Sequence, residues 1–194
     1  MVEIGKDNSM IDIIWNVTEQ FIEDWRNSPY EWQTEIDIQA EIASQLRQSL
    51  KNKDKLIMTV GGYEYIRRGK MQDYSRVCCE WSTNYDLNGE KKCCQPDIIV
   101  YEDTEDSNNL PDKDPKKNWP MLWVCEIKYQ TEDKDVSKQS KSWDTDKMVY
   151  LLKQNESRYG CILYFNRKEI NTMPIISIEE QNGRLRRYTI LPKK

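Results

Sequence analysis

The sequence predicts an α/β domain on a mixed sheet, and three observations predict it. Two amphipathic helical patterns come first, a series of β-branched and aromatic runs follows, and a further helical pattern stands between two of the later runs. With 194 residues the chain suffices for one sizeable domain around one core, taken here as residues 1–194. The central elements span about 31–166, with residues 1–30 and 167–194 as additions at either end.

Taken in order, residues 10–26 place Ile11, Ile14, Trp15, Phe21, Ile22 and Trp25 at mostly helical spacing, and Ser28-Pro29 supplies the stop. Such a stripe packs on its own core unless a partner covers it. A second helix is expected over 31–50, with Ile36, Ala40, Ala43, Leu46 and Leu50 on one side. Residues 56–66 and 76–84 read as strands, separated by the breakers Gly61-Gly62 and Arg67-Arg68-Gly69. The turn signal Asn84 to Gly89 joins 76–84 to a strand at 94–102, which predicts an antiparallel hairpin. Residues 103–118 carry two prolines and no apolar periodicity, so they read as a solvated loop before the strand 121–130. A helix over 143–156, with Met148, Leu151 and Leu152 inward, leads past Gly160 to a strand at 160–166. Strands 174–179 and 185–191 around Asn182-Gly183 predict a C-terminal β-hairpin.

Composition narrows the chemistry. The 29 basic and 33 acidic residues give a net charge of -4, against a broad basic face that coats nucleic acid nonspecifically. Histidine is absent, which excludes imidazole acid/base catalysis, imidazole-ligated zinc and triads that need an imidazole. The work falls to carboxylates, lysines, tyrosines or thiols. No apolar run approaches the ~20 residues of a membrane span, and the opening MVEIGKDNSM lacks the basic and apolar regions of an export signal. A soluble, cytoplasmic protein with six reduced cysteines is therefore expected.

Two strands carry unusual charges. Asp97 stands at the mouth of the apolar run Ile98-Ile99-Val100-Tyr101, and Glu126 and Lys128 lie two apart inside Leu122-Trp-Val-Cys-Glu-Ile-Lys-Tyr129. A period of two sends Glu126 and Lys128 to one face and Ile127 to the other. A charged pair inside an apolar strand costs desolvation unless it is paired or bound to a metal. By itself E-x-K is satisfied by a structural Glu-Lys pair, so the weight comes from Pro96-Asp97 on the preceding strand and from the helix and strand that follow.

These residues resemble the signature of the PD-(D/E)XK superfamily, the restriction-endonuclease-like fold, whose core runs αβββαβ. Pro96-Asp97 and Glu126-Ile127-Lys128 match it, with a separation (126 minus 97, or 29 residues) lengthened by the inserted loop. The resemblance implies a DNA endonuclease with Asp97, Glu126 and Lys128 as catalytic residues, often in restriction or defence against foreign DNA. The family often adds an acid on its first helix, and Glu35 is the candidate: at ~100° per residue it falls beside Ile42 and Leu46, whereas Glu41 points nearly the opposite way. Gln39, one turn later, is placed to support the site. Oxygens of Asp97 and Glu126 with the carbonyl of Ile127 suit Mg²⁺, with Mn²⁺ as a substitute, and Lys128 would orient a water or stabilise charge on the scissile phosphate. RNA as substrate stays open, as do a homodimer and a protein partner. The alternative is a catalytically silent module of the same fold that binds nucleic acid or a protein.

Other signals are weaker. Cys78-Cys79 and Cys93-Cys94 lie at the two ends of the expected hairpin, but adjacent cysteines on a strand point to opposite faces and C-x-x-C spacing is missing, so small buried thiols are the simpler reading. The acidic segment 103–114 lacks the glycine and closing glutamate of a calcium loop. Basic stretches at Lys51 to Lys55, Tyr63 to Lys70 and Lys134 to Lys141 are phosphate-contact candidates or plain solvated surface. Asp144 and Lys147, on the later helix, either approach the site or serve the core and the helix cap.

Overall fold

The computed structural model describes residues 7–53, 56–60, 72–80, 83–87, 90–102, 121–130, 147–152, 157–167, 175–181 and 184–190. The first helix, α1 (Asp7–Asn27), buries Ile11, Ile14, Phe21, Ile22 and Trp25 in the protein's own core. Thr18 lies within this stripe because its hydroxyl donates back to the Ile14 carbonyl at 2.8 Å.

The second helix, α2 (Glu35–Lys51), starts four residues later than its apolar pattern predicts. A capping box sets the start: Thr34 Oγ1 accepts from Asp37 N at 3.1 Å, and Asp37 Oδ2 accepts from Thr34 N at 2.9 Å. The buried face is Ile38, Gln39, Ile42, Ala43, Leu46 and Leu50, whereas Ile36 (67% exposed) and Ala40 point to solvent, which corrects the predicted stripe.

Strand β1 (Ile57–Val60) pairs antiparallel with β2 (Gln72–Ser75), an element that the sequence reading lacks. Next, β3 (Val77–Cys79) is shorter than predicted, because Glu80 at φ 48° turns the chain away. The expected turn over 84–89 is mostly strand: β4 (Thr83–Leu87) and β5 (Glu90–Cys94) form their own antiparallel pair. The predicted pairing of flanking segments holds nonetheless, since β3 lies antiparallel to β6 (Ile98–Tyr101) with Cys78 opposite Ile99.

The main sheet continues through β7 (Met121–Gln130), β8 (Ser157–Asn166), β9 (Ile175–Gln181) and β10 (Arg184–Ile190), in spatial order β10-β9-β8-β7-β6-β3. It is mixed, because β7 and β8 run parallel and the other neighbours antiparallel. The C-terminal hairpin forms with Gln181 opposite Arg184. Residues 147–152 are helical, and the rest of the predicted 143–156 helix lies outside the described residues, as do 61–66 and the loop 103–118.

Both faces of the central strands are covered, which is why β6 and β7 read as continuous apolar runs. On one side α1 and α2 bury Ile14, Phe21, Trp25, Ile42 and Leu46 with Trp123, Ile127 and Phe165. On the other, Met148, Leu151 and Leu152 pack with Ile99, Tyr101, Val124 and Ile162. Gly160 permits the second contact, because a Cβ there would lie 2.5 Å from Met148 Sδ and 2.9 Å from its Cγ. Among the described residues no helix is long and apolar enough to cross a membrane.

Candidate active site

The site forms where β6 runs out and β7 does not. Their pairing has Ile98 opposite Cys125, so among the described residues β7 continues from Glu126 with no strand beside it on that edge. Pro96, opposite Ile127 if the register continued, has no N–H to extend the ladder. The amides of Ile127 and Tyr129 lie on this edge by the period of two, and each needs an acceptor. Two carboxylates supply them. Asp97 Oδ2 accepts from Ile127 N at 2.5 Å, and Glu35 Oε1 accepts from Tyr129 N at 3.0 Å.

Asp97 is itself held in place through its backbone. Its carbonyl accepts from Gln39 Nε2 at 2.6 Å and from Glu80 N at 3.1 Å. The left-handed turn at Glu80 thus ends β3 and delivers an amide to the residue that opens β6. Glu35 and Gln39, one helical turn apart on α2, both reach this edge, as the helix phase predicts, while Glu41 instead accepts from Gln45 at 3.0 Å.

Glu126 and Lys128 project from β7 to the side opposite Ile127, which is fully buried among the α1 and α2 contacts. Glu126 is 2% exposed. Its Oε1 is paired with Lys147 Nζ at 2.5 Å, and Lys128 Nζ lies 3.9 Å from Oε2 and donates to the Ile127 carbonyl at 3.1 Å. Lys147 was only loosely placed by sequence, since its approach depends on how the 147–152 helix docks on β8. Asp144 lies outside the described residues.

Charge is finely balanced here. Burial pushes the Glu126 carboxyl up to about 7, against the pull of Lys147 and Lys128 and with a further push from the charge of Asp97. Burial also raises Asp97; the Ile127 amide, Lys128 and Lys147 oppose this, and Glu35 adds to it. Asp97, Glu126, Glu35, Lys128 and Lys147 therefore share one electrostatic environment.

A buried carboxyl such as that of Glu126, whose proton affinity the charge of Asp97 raises, favours a cation beside it. With the Ile127 carbonyl the two carboxylates make a donor set of hard oxygens. Among the described residues no three acidic or thiol side chains gather into a metal-holding group, so an ion here would draw on Asp97, Glu126, Ile127 O and water. That is the usual habit of Mg²⁺, which keeps several waters and takes one or two protein carboxylates. The donor chemistry suits such an ion, which would displace Lys147 from Glu126 Oε1 and Lys128 from the Ile127 carbonyl.

The cysteines lie elsewhere. Cys94, Cys125 and Cys161 are buried, Cys78 and Cys79 partly so, and Cys93 is exposed, which corrects its reading as a buried thiol. Of the basic stretches, Lys51 and Lys53 are exposed, and Tyr63 to Lys70 and Lys134 to Lys141 lie outside the described residues. No protein-family model, curated protein or solved structure matches the chain.

Proposed function

We propose that the chain is a Mg²⁺-dependent phosphodiester hydrolase acting on DNA, a PD-(D/E)XK endonuclease in which Asp97, Glu126 and Lys128 do the chemistry with help from Glu35. The observation that carries this reading is the convergence of Asp97 and Glu126, 29 residues apart, at the end of β6 with Lys128 beside them. The succession α2, β3, β6, β7, the 147–152 helix and β8 also resembles the αβββαβ core of that superfamily.

In this reading Asp97, Glu126 and the Ile127 carbonyl hold the cation, which when bound supplies charge neutralisation on the phosphate and a more acidic water. Lys128 keeps its ammonium within reach of the reacting phosphate and orients the attacking water. Glu35 and Gln39 hold the edge of β7 and the Asp97 backbone, so the carboxylates do not reorganise as charge builds. Hydrolysis joins the water oxygen to phosphorus and breaks one P–O ester bond. The proton lost from water is balanced by the one gained on the leaving oxygen. A setting in restriction or defence follows from the resemblance alone.

One observation favours a second reading. Lys147 and Lys128 already face the two oxygens of Glu126, an arrangement that also suits a silent nuclease-fold module binding nucleic acid or a protein. Cleavage of plasmid and single-stranded DNA by wild type and Lys128→Ala, with Mg²⁺, Mn²⁺ or EDTA, separates the two. Metal-dependent cutting that the variant loses supports the enzyme, and no cutting of any substrate favours the silent module.

A further inference from the structure

We propose that the corner formed by Tyr30, Arg167 and Tyr129 is a subsite for the single-stranded nucleic acid flanking the cleaved bond, with Tyr30 stacking on an unpaired base and Arg167 meeting a phosphate. The proposal rests on the nuclease reading and names the substrate form that reading leaves open.

Arg167 follows the end of β8, and Tyr129 lies near the end of the parallel β7, so both stand at the carboxyl ends of the parallel pair. The guanidinium lies 4.8 Å from the Tyr30 ring centre and 5.4 Å from that of Tyr129. Its Nε donates to the Pro29 carbonyl at 3.3 Å and its Nη2 to the Trp32 carbonyl at 3.1 Å. Among the described residues its partners are these two carbonyls and two rings, with no carboxylate. The guanidinium is thus fixed in place with no ion pair to a described carboxylate, which suits a phosphate.

Exposure points the same way. Tyr30 (63% exposed) and Ile36 are the exposed large hydrophobic residues among those described, and they flank the start of α2 from which Glu35 reaches the site. The Tyr129 hydroxyl donates to the Trp32 carbonyl at 3.3 Å, so the second ring is tethered, and more than half of the surface of Tyr30 faces solvent. An exposed ring beside a fixed guanidinium is the pairing by which proteins hold unpaired strands, because every base has a face to stack. The corner is tied to the site through Tyr129, which follows Lys128 and whose amide is held by Glu35. Arg167 also pins the connection between α1 and α2, but that duty does not require an exposed Tyr30.

The test is fluorescence anisotropy with a labelled oligothymidine in EDTA, so that binding is read without cleavage, for wild type, Tyr30→Ala and Arg167→Gln. Tyr30→Ala is expected to weaken binding about tenfold at an unchanged melting temperature, and Arg167→Gln to reduce the slope of log affinity on log salt by about 0.7. Wild-type affinity in Tyr30→Ala overturns the subsite, and that variant decides alone if Arg167→Gln fails to fold. If the wild type cleaves DNA while Tyr30→Ala binds and cleaves equally well, only the subsite falls. If the wild type neither binds nor cleaves nucleic acid, the nuclease reading falls and the subsite with it.

Discussion

Asp97 and Glu35 take alternate amides of one open strand edge, Ile127 N at 2.5 Å and Tyr129 N at 3.0 Å. Two acids that the superfamily pattern would assign to chemistry therefore also serve an edge that no strand covers among the described residues. The two duties can be separated at Glu35. Glu35→Gln keeps an acceptor for Tyr129 N and removes a negative charge that pushes Asp97 up; if the Glu35 carboxylate takes part in the proposed chemistry, cleavage should fall although Asp97 ionises more readily, while the melting temperature holds. Glu35→Ala strands the amide and should lower stability by about 1 to 2 kcal/mol as well. Parallel activity and melting measurements check both outcomes, and equal activity in Glu35→Gln and wild type would remove Glu35 from the chemistry.

Lys147 is the closest charge to Glu126 and pulls its carboxyl down against burial. Lys147→Met should therefore raise the Glu126 pKa above about 7. Carbon-detected NMR titration of the glutamate carboxyls would show this directly. An unchanged value would mean that the ion pair has no hold on Glu126 in solution.

Stability should depend on pH through the same residue. Because Glu126 has a folded pKa of about 7 against 4.5 unfolded, the folded state binds the extra proton between those values. Stability is favoured below pH 4.5 and lost as pH rises toward 7, by roughly 3 kcal/mol for this group. Denaturant unfolding at pH 5 and pH 8 (about one unit outside that range on the alkaline side) should show the decline, and Glu126→Gln should flatten it. Mg²⁺, which needs the ionised carboxylate, should restore more stability at the higher pH.

Packing against β8 controls where Lys147 sits. Gly160→Ala puts a methyl group 2.5 Å from Met148 Sδ and 3.2 Å from Leu152 Cδ1, and should cost about 1 to 3 kcal/mol by overpacking. Met148→Ala, which removes the clashing atoms at its own cost of about 2 to 5 kcal/mol, should make the double variant less destabilised than the sum of the two single changes. Additive losses, read by chemical denaturation, would place the strain elsewhere.

Much of this arrangement is legible in sequence, and what is not has physical causes. The bounds of β7 (Met121–Gln130) follow from an apolar run buried on both faces, and the convergence of Glu126 and Lys128 follows from strand period alone. Glu35 and Gln39 follow from helix phase, yet the apolar stripe of α2 misleads at Ile36 and Ala40 because the helix packs the face of Ile38, Ile42 and Leu46 on the core instead. The edge role of Asp97 and Glu35 is hidden because it depends on β6 starting only at Ile98. The Lys147 pair is hidden because docking of a helix across Gly160 is tertiary geometry, which no local pattern encodes.

The most direct measurement of the central claim is calorimetric titration of Mn²⁺ into wild type and Asp97→Ala, at a pH above the Glu126 titration. If Asp97, Glu126 and the Ile127 carbonyl hold a catalytic cation, the wild type binds Mn²⁺ and the variant loses that binding while remaining folded. A folded wild type that binds no Mn²⁺, or an Asp97→Ala variant that binds it equally well, would contradict a metal-dependent phosphodiesterase at this site.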